Sequence, residues 1–94
     1  MTIEQHCKDC IEQLGESFEY VHQWLDEFMN HPQYKTRHRC VRHHLKGIEE
    51  VKKMWGEKAA MAAEIHIKAD LKSDGWTHSN IPYDEKDYKE SGLW

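Results

Sequence analysis

The chain has 94 residues and a mass of 11.3 kDa, room for one hydrophobic core, which excludes a two-domain enzyme. With 38% hydrophobic against 32% charged residues and a mean hydropathy of -0.95, that core must be thin, and assembly into a homo-oligomer is the expected way to enlarge it. Seventeen acidic against thirteen basic side chains leave a net charge of -4, which excludes a general binder of long nucleic acid. No apolar run approaches a membrane span, and Met1 leads into polar and acidic residues, so a cytoplasmic protein without a membrane partner is expected.

Periodicity predicts an all-α fold, a small single-domain bundle of three to four helices with an irregular C-terminal tail. Thr2 and Gln5 have the spacing of a capping box, and Ile3, Cys7, Cys10, Ile11 and Leu14 recur at helical intervals, giving a first helix over about 3–14. Gly15 ends it; Phe18, Val21, Leu25, Phe28 and Met29 continue the stripe over 17–29, until Pro32 disfavours helix at His31. A third helix over 34–55 carries Val41, Leu45, Ile48, Val51 and Trp55 on one side and stops at Gly56. The alanine-rich segment 59–71 makes a fourth, with Ala60, Ala63, Ile67 and Leu71 as its apolar face. Residues 72–94 read as irregular chain with one short helical turn near Asp84.

Three cysteines, an odd number, point to reduced thiols rather than a disulfide framework. Cys7-x2-Cys10 and Cys40-x2-His43 are half-motifs that together could supply a Cys3His zinc site. Cys7 and Cys10 also fall on the apolar stripe of their helix, where a thiol serves as a small buried hydrophobe.

The one strongly cationic segment is Lys35 to Lys46, KTRHRCVRHHLK. A concentrated basic strip on an acidic chain suits a small anionic ligand or an acidic protein surface. Its alternative is a solvated helix face. More informative are polar residues phased beside the apolar stripes, because burial without partners costs several kcal/mol. At about 100° per residue, Arg37 and His44 both face the core side of the third helix, with His38 bordering it. His22 and Asp26 stand four apart, as do His66 and Asp70, spacing that lets a carboxylate hold an imidazole. His6 flanks the first stripe, and Glu64 is phased inward, where Arg37 is its nearest expected partner.

These residues in this order resemble the DUF6915 family of small uncharacterised bacterial and phage proteins: His6, His22-x-Trp24-x-Asp26, Arg37-His38-Arg39-x3-His43-His44-x2-Gly47-Ile48, Glu64-x-His66-x3-Asp70-Leu71, then Ile81-Pro82 and Asp87-Tyr88. The resemblance spans His6 to Tyr88. It departs at 55–63, where the family has a glycine-containing turn and an extended segment, and it does not extend to the three cysteines as a set. It implies no activity, and a phage origin would make the location host cytoplasm.

Three functions fit these residues. The first is a non-catalytic protein, of the kind by which a phage sequesters nucleotides, that captures a small phosphorylated or nucleotide-like ligand. Arg37, Arg39 and Arg42 would fork onto phosphate, His38, His43 and His44 would position it, and Trp76 or Tyr83 would stack. The second is a divalent-metal site, zinc for example, drawn from His22, Asp26, His44, Glu64, His66 and Asp70, which could serve phosphoester hydrolysis. The third is a structural or protein-interaction module with a satisfied buried polar network. No nucleophile motif or phosphate-cradling glycine loop is present, so the balance is against an enzyme.

Overall fold

A computed structural model describes residues 2–29, 38–76 and 80–91. Among them the fold is all-α, with no strand: α1 (Ile3–Leu14), α2 (Glu19–Leu25), α3 (Arg39–Arg42), α4 (Leu45–Trp55), α5 (Glu57–Ser73) and α6 (Glu85–Glu90). None of these helices is long and apolar enough to cross a membrane. Tyr34 and Arg37 lie outside the described residues.

The first helix is set by its caps. Thr2 accepts from the Gln5 backbone N–H while the Gln5 side chain accepts from the Thr2 N–H, and Gly15 closes the other end in the left-handed region. The second segment is shorter than its apolar stripe suggests. Phe18 takes a left-handed conformation, α2 ends at Leu25, and turns continue to Met29.

α5 is the central element, packing against α1, α2 and α4. Ala59, Ala62 and Ala63 are buried on its inner face, where their small side chains let Cys10, Val21 and Val51 approach. Ile67 and Leu71 extend the same core, and Tyr88 of α6 joins it with Cys40 of α3. Cys10 and Cys40 are therefore core residues, and burial pushes both thiols up to about 11. Trp55, expected inside, is 41% exposed and meets the edges of Tyr20 and Trp24.

The continuous helix expected up to Trp55 is broken at His43-His44. His44 is extended (φ -156°, ψ 176°) and its Nδ1 accepts from the Gly47 backbone N–H, so it caps α4. The fold stabilises the break from two sides. The first-turn amides of Leu45 and Lys46 donate to the carbonyls of Pro82 and Tyr83 at 2.9 Å, which satisfies groups a helix start leaves open. Gly47 lies against the Arg42 carbonyl, where an added Cβ would come to 1.9 Å from the oxygen. The alternation of apolar residues runs through this corner unchanged, so periodicity could not reveal it.

Candidate metal centre

The bundle brings together His6 from α1, His22 from α2, Asp26 at the end of α2, His38 at the start of α3, His43 from the corner, and His66 and Asp70 from α5. All seven are buried, none more than 9% exposed. α5 reaches this point because the inner face that carries Ala59, Ala62 and Ala63 continues, at spacings of three and four, into His66 and Asp70.

Four donor atoms converge: Asp26 Oδ1, His43 Nε2, His66 Nε2 and Asp70 Oδ2. His43 lies 3.0 Å from Asp70, 3.2 Å from His66 and 3.4 Å from Asp26, while His66 lies 3.2 Å from Asp70 and 3.5 Å from Asp26. All four residues offer ligand atoms within 4.8 Å of one another. A tetrahedron of nitrogen and oxygen donors at about 2.0–2.1 Å from a zinc ion has edges of roughly 3.3–3.4 Å. The five distances bracket that value.

The surroundings fix how these donors are presented. The Ser17 carbonyl can only accept, so His22 Nε2 carries the proton in their 2.9 Å contact. Burial and the neighbouring His66 push the His22 pKa down to about 4, which keeps that ring neutral and leaves Nδ1 as an acceptor. His66 Nδ1–H therefore donates to His22 Nδ1 at 2.9 Å, and His66 turns Nε2 toward the centre. This is the orientation a metal-binding imidazole receives from a neighbouring hydrogen-bond acceptor.

Both carboxylates are strongly held in the charged form. Burial opposes the ionisation of Asp26, but hydrogen bonds from His38, His43 and His66 outweigh it and hold its pKa well below the usual range. Asp70 is shifted the same way, with burial opposed by hydrogen bonds from His43 and His66 and by the close imidazole of His6, 3.2 Å from its Oδ1. For His66, burial disfavours the cation, but Asp26 and Asp70 overcome it and raise the pKa. The site thus attracts positive charge at the point where the four donor atoms meet.

Of the residues expected from sequence as metal ligands, Asp26, His66 and Asp70 lie in this four-donor cluster, and His22 contacts it through His66. His44 and Glu64 do not. His44 is spent on the α4 cap and on the Val41 carbonyl at 2.9 Å. Glu64 pairs with Lys68 at 2.9 Å on the surface, because the inner face of α5 is centred on Ala63, His66 and Asp70. His43 takes the position expected of His44. His38, assigned to a phosphate, instead faces Asp26 Oδ1 at 3.2 Å, and His6 stacks on His66 at 3.6 Å.

The described arginines are engaged by carboxylates. Arg39 contacts Asp74 at 2.6 Å and Asp70 at 3.5 Å. Arg42 donates to Glu27 at 2.5 Å and to the Trp24 carbonyl at 2.7 Å, and lies over the Trp24 ring. Trp76 and Tyr83 line a cleft of about 780 Å³ with Ile81, Glu64, Asp87 and Glu90, away from the arginines and histidines they were expected to assist. The thiols of the Cys-x2-Cys half-motif do not join His43: Cys10 sits in the apolar core and contacts the Ala62 carbonyl at 4.0 Å.

Residues 1–79 match a protein family described as a domain of unknown function, DUF6915. The chain belongs to DUF6915. Every residue of the His/Asp cluster falls inside the matched span, whereas Ile81-Pro82 and Asp87-Tyr88 lie beyond it. No curated protein and no solved structure matches the chain.

Proposed function

We propose that this DUF6915 protein holds a divalent transition-metal ion, of which zinc is the member the donors suit best, through Asp26, His43, His66 and Asp70. The observation that carries the reading is the convergence of four buried donors from three chain segments, five of whose six separations lie between 3.0 and 3.5 Å. Imidazole and carboxylate are proper ligands for such an ion, and two carboxylates balance its charge. Four protein donors suit a retained ion that ties α2, the α3–α4 corner and α5 together, since catalytic zinc sites keep a position open for water. The reading therefore places the protein among metal-binding proteins rather than enzymes.

A second reading, metal-assisted phosphoester hydrolysis, draws on Arg39, whose guanidinium lies 3.5 Å from Asp70 and could clamp a phosphate beside the ion. Capture of a phosphorylated or nucleotide-like ligand has narrower support, the shared cleft of Trp76 and Tyr83. Asp87 and Glu90 line that cleft as well and would repel phosphate, while Lys68, its one lysine among the described residues, is engaged by Glu64. A homo-oligomer would bury the exposed Tyr20 and Trp55 pair, and light scattering on the eluted protein tests it. A cytoplasmic location agrees with three free thiols.

The test is metal analysis of protein made without a histidine tag, followed by thermal unfolding with and without chelator. The reading predicts bound transition metal and a fall in Tm with chelator, since an ion at a hundredfold excess over its Kd stabilises the folded state by about 2.7 kcal/mol. A protein that cannot be loaded with zinc, and whose Tm ignores chelator, contradicts it.

A further inference from the structure

The imidazole of His6 is fully buried, and neither ring nitrogen has a hydrogen-bond partner. It is the one histidine of the cluster in that position. Its Nε2 lies 3.2 Å from Asp70 Oδ1, off the line a hydrogen bond needs. Its ring is stacked on His66 at 3.6 Å with an interplanar angle of 16°. The two parallel imidazoles therefore face the two oxygens of one carboxylate at the same distance: His66 Nε2 to Oδ2 and His6 Nε2 to Oδ1, each 3.2 Å.

From this geometry we propose a second cation position between His6 Nε2 and Asp70 Oδ1, with Asp70 bridging it to the ion held by Asp26, His43 and His66. The inference rests on the metal reading above. Ions in two-metal sites stand about 3.5–4 Å apart, and the spacing of the stacked rings falls in that range. Occupation gives His6 the partner it lacks, and an unpartnered buried polar group is what such a ligand would relieve.

Arg39 Nη2 approaches the same Asp70 oxygen at 3.5 Å. Its charge competes with the second ion, so the two equivalents bind in sequence, the one beside His6 more weakly. Arg39 can yield, because it is also paired with Asp74 at 2.6 Å and its side chain is 22% exposed.

The experiment strips the full chain with chelator, titrates it with zinc alone, and counts ions per chain by native mass spectrometry. Wild type is expected to take two, and His6→Phe, which keeps a stacking ring but no nitrogen donor, one. Saturation of wild type at one ion overturns the second position and leaves the first standing. Two ions on both proteins also overturn it, by placing the second ion away from His6. No ion on wild type overturns the metal reading itself. If His6→Phe does not fold, X-ray absorption of doubly loaded wild type decides: a metal neighbour at about 3.5–4 Å supports the bridge, and its absence overturns it.

Discussion

One face of α5 does two different things along its length. Its first half buries Ala59, Ala62 and Ala63 among Cys10, Val21 and Val51, and the next turns bury His66 and Asp70 among four other histidines and a second aspartate. The apolar half tolerates burial because its side chains leave no polar group behind. In the polar half, unmade contacts cost far more than made ones return. The same stripe is thus ordinary packing at one end and, at the other, an arrangement whose stability depends on every partner being present.

Substitutions in the two halves should separate these roles. The largest effect is expected at His66, whose loss strips Asp26 and Asp70 of a partner: His66→Ala should cost about 3–5 kcal/mol, the range for breaking a buried ionic contact, and abolish zinc binding. Denaturant unfolding and metal analysis check both. In the apolar half, Ala62→Val should cost about 1–3 kcal/mol through overpacking and leave the zinc count unchanged. Retention of zinc by His66→Ala, or its loss from Ala62→Val, would break the contrast.

Gly47→Ala sharpens the comparison from outside α5. The new methyl group meets the Arg42 carbonyl, so the corner that aims His43 must shift, at a cost of about 1–3 kcal/mol. Zinc affinity should fall with stability, whereas a mutant with native affinity would show that the corner does not position His43. The smallest effect belongs to Glu64→Ala. Its contact with Lys68 is at the surface, both side chains roughly half exposed, so stability should change by no more than about 0.5 kcal/mol and zinc binding should stay as it was.

The amphipathic helices were legible because caps and apolar spacing agree, as in α1 with Thr2, Gln5 and Gly15. Part of the centre was legible too: the four-residue spacing His66 to Asp70 placed a base beside a carboxylate, as found at 3.2 Å, whereas His22, spaced the same way from Asp26, turns its ring nitrogens to His66 and the Ser17 carbonyl instead. What could not be read was set by tertiary contacts. The choice between His43 and His44 depends on a helix break whose amides are satisfied by Pro82 and Tyr83, far along the chain. Histidine is an uncommon cap, so His44-x2-Gly47 carries no ordinary signal of a helix start. Arg39 and Arg42 look like anion ligands until Asp74 and Glu27 are found beside them. Glu64 was misplaced because a narrow alanine stripe leaves the inward direction of α5 uncertain by about one residue, close to 100° of rotation.

X-ray absorption at the zinc edge, on protein loaded with a single equivalent, tests the central claim most directly. Ligation by Asp26, His43, His66 and Asp70 predicts a shell of nitrogen and oxygen only, with the outer scattering of two imidazoles. A sulfur contribution from the cysteines, or a shell of water oxygens without imidazole, would contradict it.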